Sequence, residues 1–164
     1  MRGCDGAINA EHNSMTDADY IKKTIELSRQ SIAVGGYPVG ALIVRNGEII
    51  ATGLSDGKQL FDATSHAETS AIREASKKLN KRNLDDVVLY SSLEPCVMCF
   101  TASFWAYIPK IVFACCRDRV PADYYEGRHN IFELNKVSRR QIDLVHLKEL
   151  EDEACQIISD WEKC

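Results

Sequence analysis

Hydrophobic positions along this chain fall into stretches of two kinds, one with helical and one with strand spacing. From Thr16 to about Val34, the positions Ile21, Ile25, Leu27, Ser28 and Ile32 lie near helical spacing behind a Thr16 N-cap, and Gly35-Gly36 stops the run. Next, "YPVGALIVRNGEIIATG" reads as two β-rich runs joined by Asn46-Gly47, a pair suited to the left-handed backbone of a tight hairpin turn. A helix over 65–79 follows, lined on one face by Ala67, Ala71, Ile72, Ala75 and Leu79. Ser65 and Glu68, three residues apart, form a candidate capping box at its start.

"DVVLYSSL" reads as a buried strand, and Pro95 suits the first position of a helix "PCVMCFTASFWAY" that ends before Pro109. "KIVFACC" is a further strand, "IDLVHL" a weaker one, and "LKELEDEACQIISDWEKC" a closing helix. Strands alternating with helices after an opening hairpin predict an α/β fold: a three-layer α/β/α arrangement around a mixed, roughly five-stranded sheet. The expected organisation is a polar, flexible leader over 1–15 and one domain over 16–164, with no internal repeat or low-complexity linker between.

Composition narrows the class. Hydrophobic residues make up 45% and charged residues 27%, which excludes a disordered or fibrous chain. No apolar run approaches the roughly 18 residues of a membrane span, and the N-terminus lacks the apolar segment of a signal peptide, so a cytoplasmic protein without membrane partners is expected. The seven cysteines are odd in number, which predicts reduced thiols rather than a disulfide framework. The adjacent Cys115 and Cys116 read as small buried hydrophobes, and His129 and His146 as surface or loop residues. A net charge of −4 argues against a general polyanion binder, although "KKLNKR" and "SRR" are locally basic.

Candidate chemistry centres on "EPCVMC". Cys96 and Cys99 are three residues apart in a first helical turn, where the helix dipole favours thiolates, the form that binds zinc. Two cysteines do not complete a site, but His66, also at a helix start, is of the right type for a third ligand. Three protein ligands leave room for a water or hydroxide, the arrangement of catalytic zinc, and Glu68 is placed to move that water's proton. Glu68 cannot fully serve both as this proton shuttle and as half of a capping box.

"HAE", followed twenty-eight residues beyond its glutamate by "PCVMC", resembles the zinc-dependent cytidine deaminase-like superfamily, with its H-x-E and P-C-x-x-C signature. The resemblance runs from about Tyr20 to the end and includes "YPVGALIV", "LYSSLEPCVMC" and "KIVFACCRD". It implies one Zn2+ on His66, Cys96 and Cys99, Glu68 as general acid and base, and hydrolytic removal of an exocyclic amine from a nucleobase, nucleoside or nucleotide. It also implies a homodimer.

"HAE" and "SLEPCVMC" are similar to the branch of guanine deaminases and tRNA adenosine deaminases. "FWA" at 104–106 resembles the former, and "DEACQIISDW" at 152–161 the closing helix of the latter. The acidic closing helix favours a small purine over tRNA, while Arg117, Arg119, Arg128, Arg139 and Arg140 keep tRNA open as a partner. Positions expected to face the base are Ser55, Leu93, Glu94 and Trp105, with core packing the alternative for Trp105. Ser55 departs from the pattern, since this branch usually carries asparagine eleven residues before the metal histidine. A hydroxyl cannot make the bidentate contact of an amide, so this departure bears on substrate choice and leaves a catalytically silent zinc module as an alternative. Strand followed by C-x-x-C is also the setting of a thioredoxin-like redox motif, but that reading lacks the aromatic before the first cysteine and leaves "HAE" unexplained.

Overall fold

The computed structural model describes residues 15–163; Cys4, His12, Cys164 and the leader as far as residue 14 lie outside the described residues. Met15, assigned to the leader by sequence, instead packs partly buried against the core. Helix α1 (Asp17–Ala33) opens the described chain, with Thr16 and Asp19 forming a capping box. Strands β1 (Gly40–Arg45) and β2 (Glu48–Leu54) form the hairpin, and Asn46 and Gly47 turn it with φ of 52° and 80°. A short helix α2 (Gly57–Leu60) leads to α3 (Ala67–Leu79), β3 (Val88–Leu93), α4 (Val97–Trp105) and β4 (Lys110–Cys115). After two 3-10 turns come α5 (Ile131–Val137), β5 (Asp143–His146) and α6 (Glu151–Glu162).

The five strands lie in the order β2-β1-β3-β4-β5. β1 pairs antiparallel with β2 and β3, whereas β3, β4 and β5 run parallel, so the sheet is mixed. Side chains on both faces of β1, β3 and β4 are buried, because helices cover each face: α3 and α4 pack together on one, α1 and α6 on the other. Gly53 lets α3 approach β2 closely: a Cβ there would sit 1.9 Å from the Ala67 carbonyl oxygen. No helix among the described residues is long and apolar enough to cross a membrane.

Four local expectations are corrected. Ser65 and Glu68 make no capping box. His66 is the N-cap of α3, its backbone N–H donates to Thr69 Oγ1 at 3.0 Å, and Ser65 Oγ instead donates to Asp56 Oδ1. Pro95 precedes the N-cap Cys96 rather than occupying the first helical position. Cys115 is joined to Cys155 by a disulfide, with Cα atoms 5.3 Å apart, because α6 packs across β4 and brings together residues 40 apart in sequence. His146 is a strand residue, its ring stacked parallel on Phe113 at 5.2 Å, rather than a surface or loop histidine.

Candidate active site

The helices carrying the two motifs begin side by side beyond the carboxyl ends of β2 and β3, which places both N-caps, His66 and Cys96, at one cleft. His66 Nδ1 lies 3.6 Å from the sulfurs of both Cys96 and Cys99. Tetrahedral zinc with Zn–S of about 2.3 Å and Zn–N of about 2.0–2.1 Å requires an S to N separation of roughly 3.6 Å. The three donor atoms lie within 4.8 Å of one another and are of the types that zinc selects, so the residues fit the ion.

Glu68 is 4% exposed. Ser91 Oγ on β3 donates to its Oε1 at 3.2 Å, and Cys99 Sγ lies 3.5 Å from its Oε2. Burial pushes the Glu68 carboxyl up, and the charge on Cys96 adds to the shift. The two thiols are not equivalent. The hydrogen bond with Cys99 brings Cys96 down to about 5 against its burial, with His66 assisting, whereas the same bond and burial hold Cys99 well above the ordinary thiol value. The hydrogen bond with Cys96 raises His66 against the effect of burial.

The cleft encloses about 190 Å³, bounded by Tyr37, Val39, Ser55, His66, Glu68, Leu93, Glu94 and the run Asp123 to Tyr125 among others. Ser55 is a buried lining residue, and its backbone N–H donates to Ser31 Oγ at 3.1 Å. Leu93 and Glu94 line the wall. The backbone N–H of Arg117 donates to Glu94 Oε2 at 3.1 Å, and Tyr125 Oη donates to the Glu94 carbonyl at 2.7 Å. Burial raises the Glu94 carboxyl despite the Arg117 contact.

Trp105 is not at the cleft. It ends α4, roughly 13 Å along the helix axis from Cys96 at 1.5 Å per residue, and is 58% exposed, so it belongs neither to the cleft wall nor to the core. Cys96 and Cys99 are both free thiols, so the C-x-x-C pair is not joined as in a redox motif.

Sequence reasoning missed the roof. Tyr37, before β1, meets Trp161 of α6 at 5.7 Å between ring centroids, and Tyr124 meets the same ring at 6.5 Å. The Tyr124 segment is pinned from below, because Glu126 Oε1 accepts from the Val97 N–H at 2.7 Å and the Arg117 guanidinium lies 4.5 Å over the Tyr125 ring. The only advance signal was the aromatic content of "DYY" and "DW" in otherwise polar stretches.

With that geometry established, comparison with known proteins is decisive for the family: residues 14–115 match the cytidine and deoxycytidylate deaminase zinc-binding region. The chain belongs to this family. It is 44% identical over 100 residues to a guanine deaminase of Bacillus subtilis, a stretch covering 60% of this chain and 64% of that protein. The chain thus spans just under two thirds of that relative's length. It is 34% identical over 151 residues to a tRNA-specific adenosine deaminase of Buchnera aphidicola, covering 91% of each. The solved guanine deaminase of Nitrosomonas europaea superposes with a TM-score of 0.82 at 28% identity, over 92% of this chain and 86% of that one. The three-layer fold is therefore the cytidine deaminase-like one.

Proposed function

We propose that this chain is a zinc-dependent hydrolytic deaminase acting on a small purine of guanine type. The observation that carries the reading is the roofed cleft over the His66, Cys96 and Cys99 cluster, with room for one flat base between Tyr37, Leu93 and Tyr124. Zinc held by His66, Cys96 and Cys99 would supply a hydroxide nucleophile at neutral pH, since such sites lower the pKa of water to about 7.

The remaining work falls to the chain's own groups. Glu68 accepts one proton from the attacking water on a carboxylate oxygen and delivers it to the ring nitrogen, then takes the second proton from the new hydroxyl on the carbon and delivers it to the departing amine. Ser91 fixes the carboxylate for that transfer through its bond to Oε1. Oxygen bonds to the amine-bearing carbon, the carbon–nitrogen bond breaks, and ammonia leaves. Glu94, held from behind by Arg117, presents a polar edge to the base, and Ser55 offers one hydroxyl. Tyr37 and Tyr124, backed by Trp161, exclude water from the cleft.

A second reading, adenosine within tRNA, is favoured by the match to the Buchnera enzyme along nearly the whole chain. The roof and the acidic first turn of α6, Glu151-Asp152-Glu153, weigh against a polyanionic strand at this cleft.

The test is ammonia release by the zinc-loaded protein from guanine, guanosine, adenine, adenosine, cytosine, cytidine, dCMP and an anticodon stem-loop RNA. Turnover of guanine or a guanine-like base that barely changes with salt supports the first reading. Activity confined to the RNA and falling steeply with salt establishes the second instead. No turnover of any of the eight, with zinc bound, rejects both.

A further inference from the structure

A second group of metal-ligand side chains lies outside the cleft. Cys116 follows β4, His146 ends β5 and Glu151 begins α6, and their sulfur, nitrogen and oxygen atoms lie within 4.8 Å of one another. His146 Nε2 is shielded from solvent and makes no hydrogen bond, although Glu151 Oε1 is 3.2 Å away: the oxygen stands off the direction in which that nitrogen could donate. A buried nitrogen left without a hydrogen bond beside a carboxylate oxygen is accounted for by a cation shared between the two. The imidazole is also oriented in advance, because its ring is stacked on Phe113.

We propose that Cys116, His146 and Glu151 form a second transition-metal site of the zinc class, which clamps the start of α6 to the carboxyl edge of β4 and β5. One thiolate, one imidazole and one carboxylate are a donor set that zinc accepts in tetrahedral sites, with the fourth position left to solvent. The 3.2 Å between Nε2 and Oε1 is close to the roughly 3.3 Å that two such ligands span around zinc. Binding releases the Cys116 proton, leaving two negative charges from the thiolate and the carboxylate to balance the ion. Burial and the Glu151 carboxylate hold that thiol at about 11 when no cation shares the site.

The neighbouring charges leave the ligand atoms available. Arg119 engages the other face of Glu151, at Oε2 from 3.4 Å, and Asp152 Oδ1 from 2.9 Å. Oε1 faces His146 at 3.2 Å and the Cys116 backbone N–H at 3.4 Å, and the Cys116 thiol bonds the same carboxylate. The site does not depend on which substrate the cleft takes. It does bear on the cleft through α6, whose far end supplies Trp161 to the roof.

The experiment is zinc stoichiometry by elemental analysis of the full chain, in a phosphine reductant and after excess metal has been removed by gel filtration. Two zinc ions per chain are expected for the unaltered protein, one for Cys116→Ser, one for Cys96→Ser and none for the double variant. His146→Asn gives an independent variant should Cys116→Ser fail to fold, and it is expected to hold one ion. A single zinc ion in the unaltered protein, or two in both Cys116→Ser and His146→Asn, would overturn the proposal. As a second readout, cobalt in place of zinc is expected to give sulfur-to-cobalt charge-transfer absorption in Cys96→Ser that disappears when Cys116→Ser is added. Its persistence in that double variant would count against the site.

Discussion

Ser91 Oγ donates to Glu68 Oε1 across 3.2 Å, joining the middle of β3 to the first turn of α3 in a fully buried setting. The bond fixes one carboxylate oxygen while Cys99 stands 3.5 Å from the other. Glu68→Ala is expected to retain zinc and lose at least about a hundredfold in kcat, a typical share for acid and base catalysis. Ser91→Ala keeps the carboxylate but releases its orientation, and a drop of about tenfold in kcat with little change in KM is expected, equivalent to about 1.4 kcal/mol. Steady-state ammonia release with metal analysis tests both, and unaltered kinetics in Ser91→Ala would remove that residue from the mechanism.

Cys96, at the N-cap of α4, belongs to the candidate metal cluster. Cys96→Ala is expected to lose the ion at this site and to melt at a lower temperature, since ligand binding to the folded state alone adds to folding free energy. A chelator should lower the Tm of the unaltered protein and move that of Cys96→Ala much less. Equal chelator sensitivity in the two would show that Cys96 is not a ligand.

Trp161 supports the roof through Tyr37 and Tyr124 and is not among the residues facing the cavity. Losing two aromatic contacts of about 0.5–1.5 kcal/mol each loosens the roof. For Trp161→Ala, KM for the small base is expected to rise by about fivefold to fiftyfold, with kcat falling less. Initial-rate kinetics distinguish this from a catalytic role, in which kcat would fall and KM would hold.

Asp17 ties α1 to the sheet. Tyr90 Oη donates to its Oδ1 at 2.5 Å, and Lys110 Nζ lies 2.9 Å from its Oδ2. Burial pushes this carboxyl up, but the bonds from Tyr90 and Lys110 outweigh it, and the folded-state pKa is lowered. A lowered folded value means that the ionised form stabilises the fold above the ordinary aspartate pKa of about 3.9, and that this share is lost as pH falls through the folded value. Asp17→Asn is therefore expected to be less stable than the unaltered protein at pH 7 and to lose less on acidification below about pH 4. Urea midpoints from pH 7 to pH 3 measure this, and parallel curves would refute it.

Much of this architecture was legible because its signals are local. Asn46-Gly47 turns the hairpin with the positive φ values that this pair tolerates, and Thr16 caps α1 as its residue type requires. The metal cluster was legible for a related reason: His66, Cys96 and Cys99 each sit at or within the first turn after a helix start, and helix starts have recognisable chemistry. Where two local rules competed, sequence could not choose. Glu68 left the capping box because a buried partner, Ser91, and the packing of α3 on the sheet claimed its side chain, while Thr69 took over the cap. Trp105 was misplaced because a hydrophobic helix does not state which end meets the site.

The sequence by itself determined the order of the five strands and the four long helices, the hairpin, and the His66, Cys96, Cys99 and Glu68 side chains on which the proposed zinc site and proton transfer rest. These depend on interactions between residues a few positions apart, whose geometry is fixed by the backbone. Tertiary structure alone decided that His66 comes within 3.6 Å of two sulfurs some thirty residues away, that Cys115 meets Cys155, and that Trp161 packs on Tyr37 at the edge of the cleft. Contacts at such separation arise only when the helices settle on both faces of the mixed sheet, because the burial that drives this packing has no direction and leaves no mark in the spacing of any one segment.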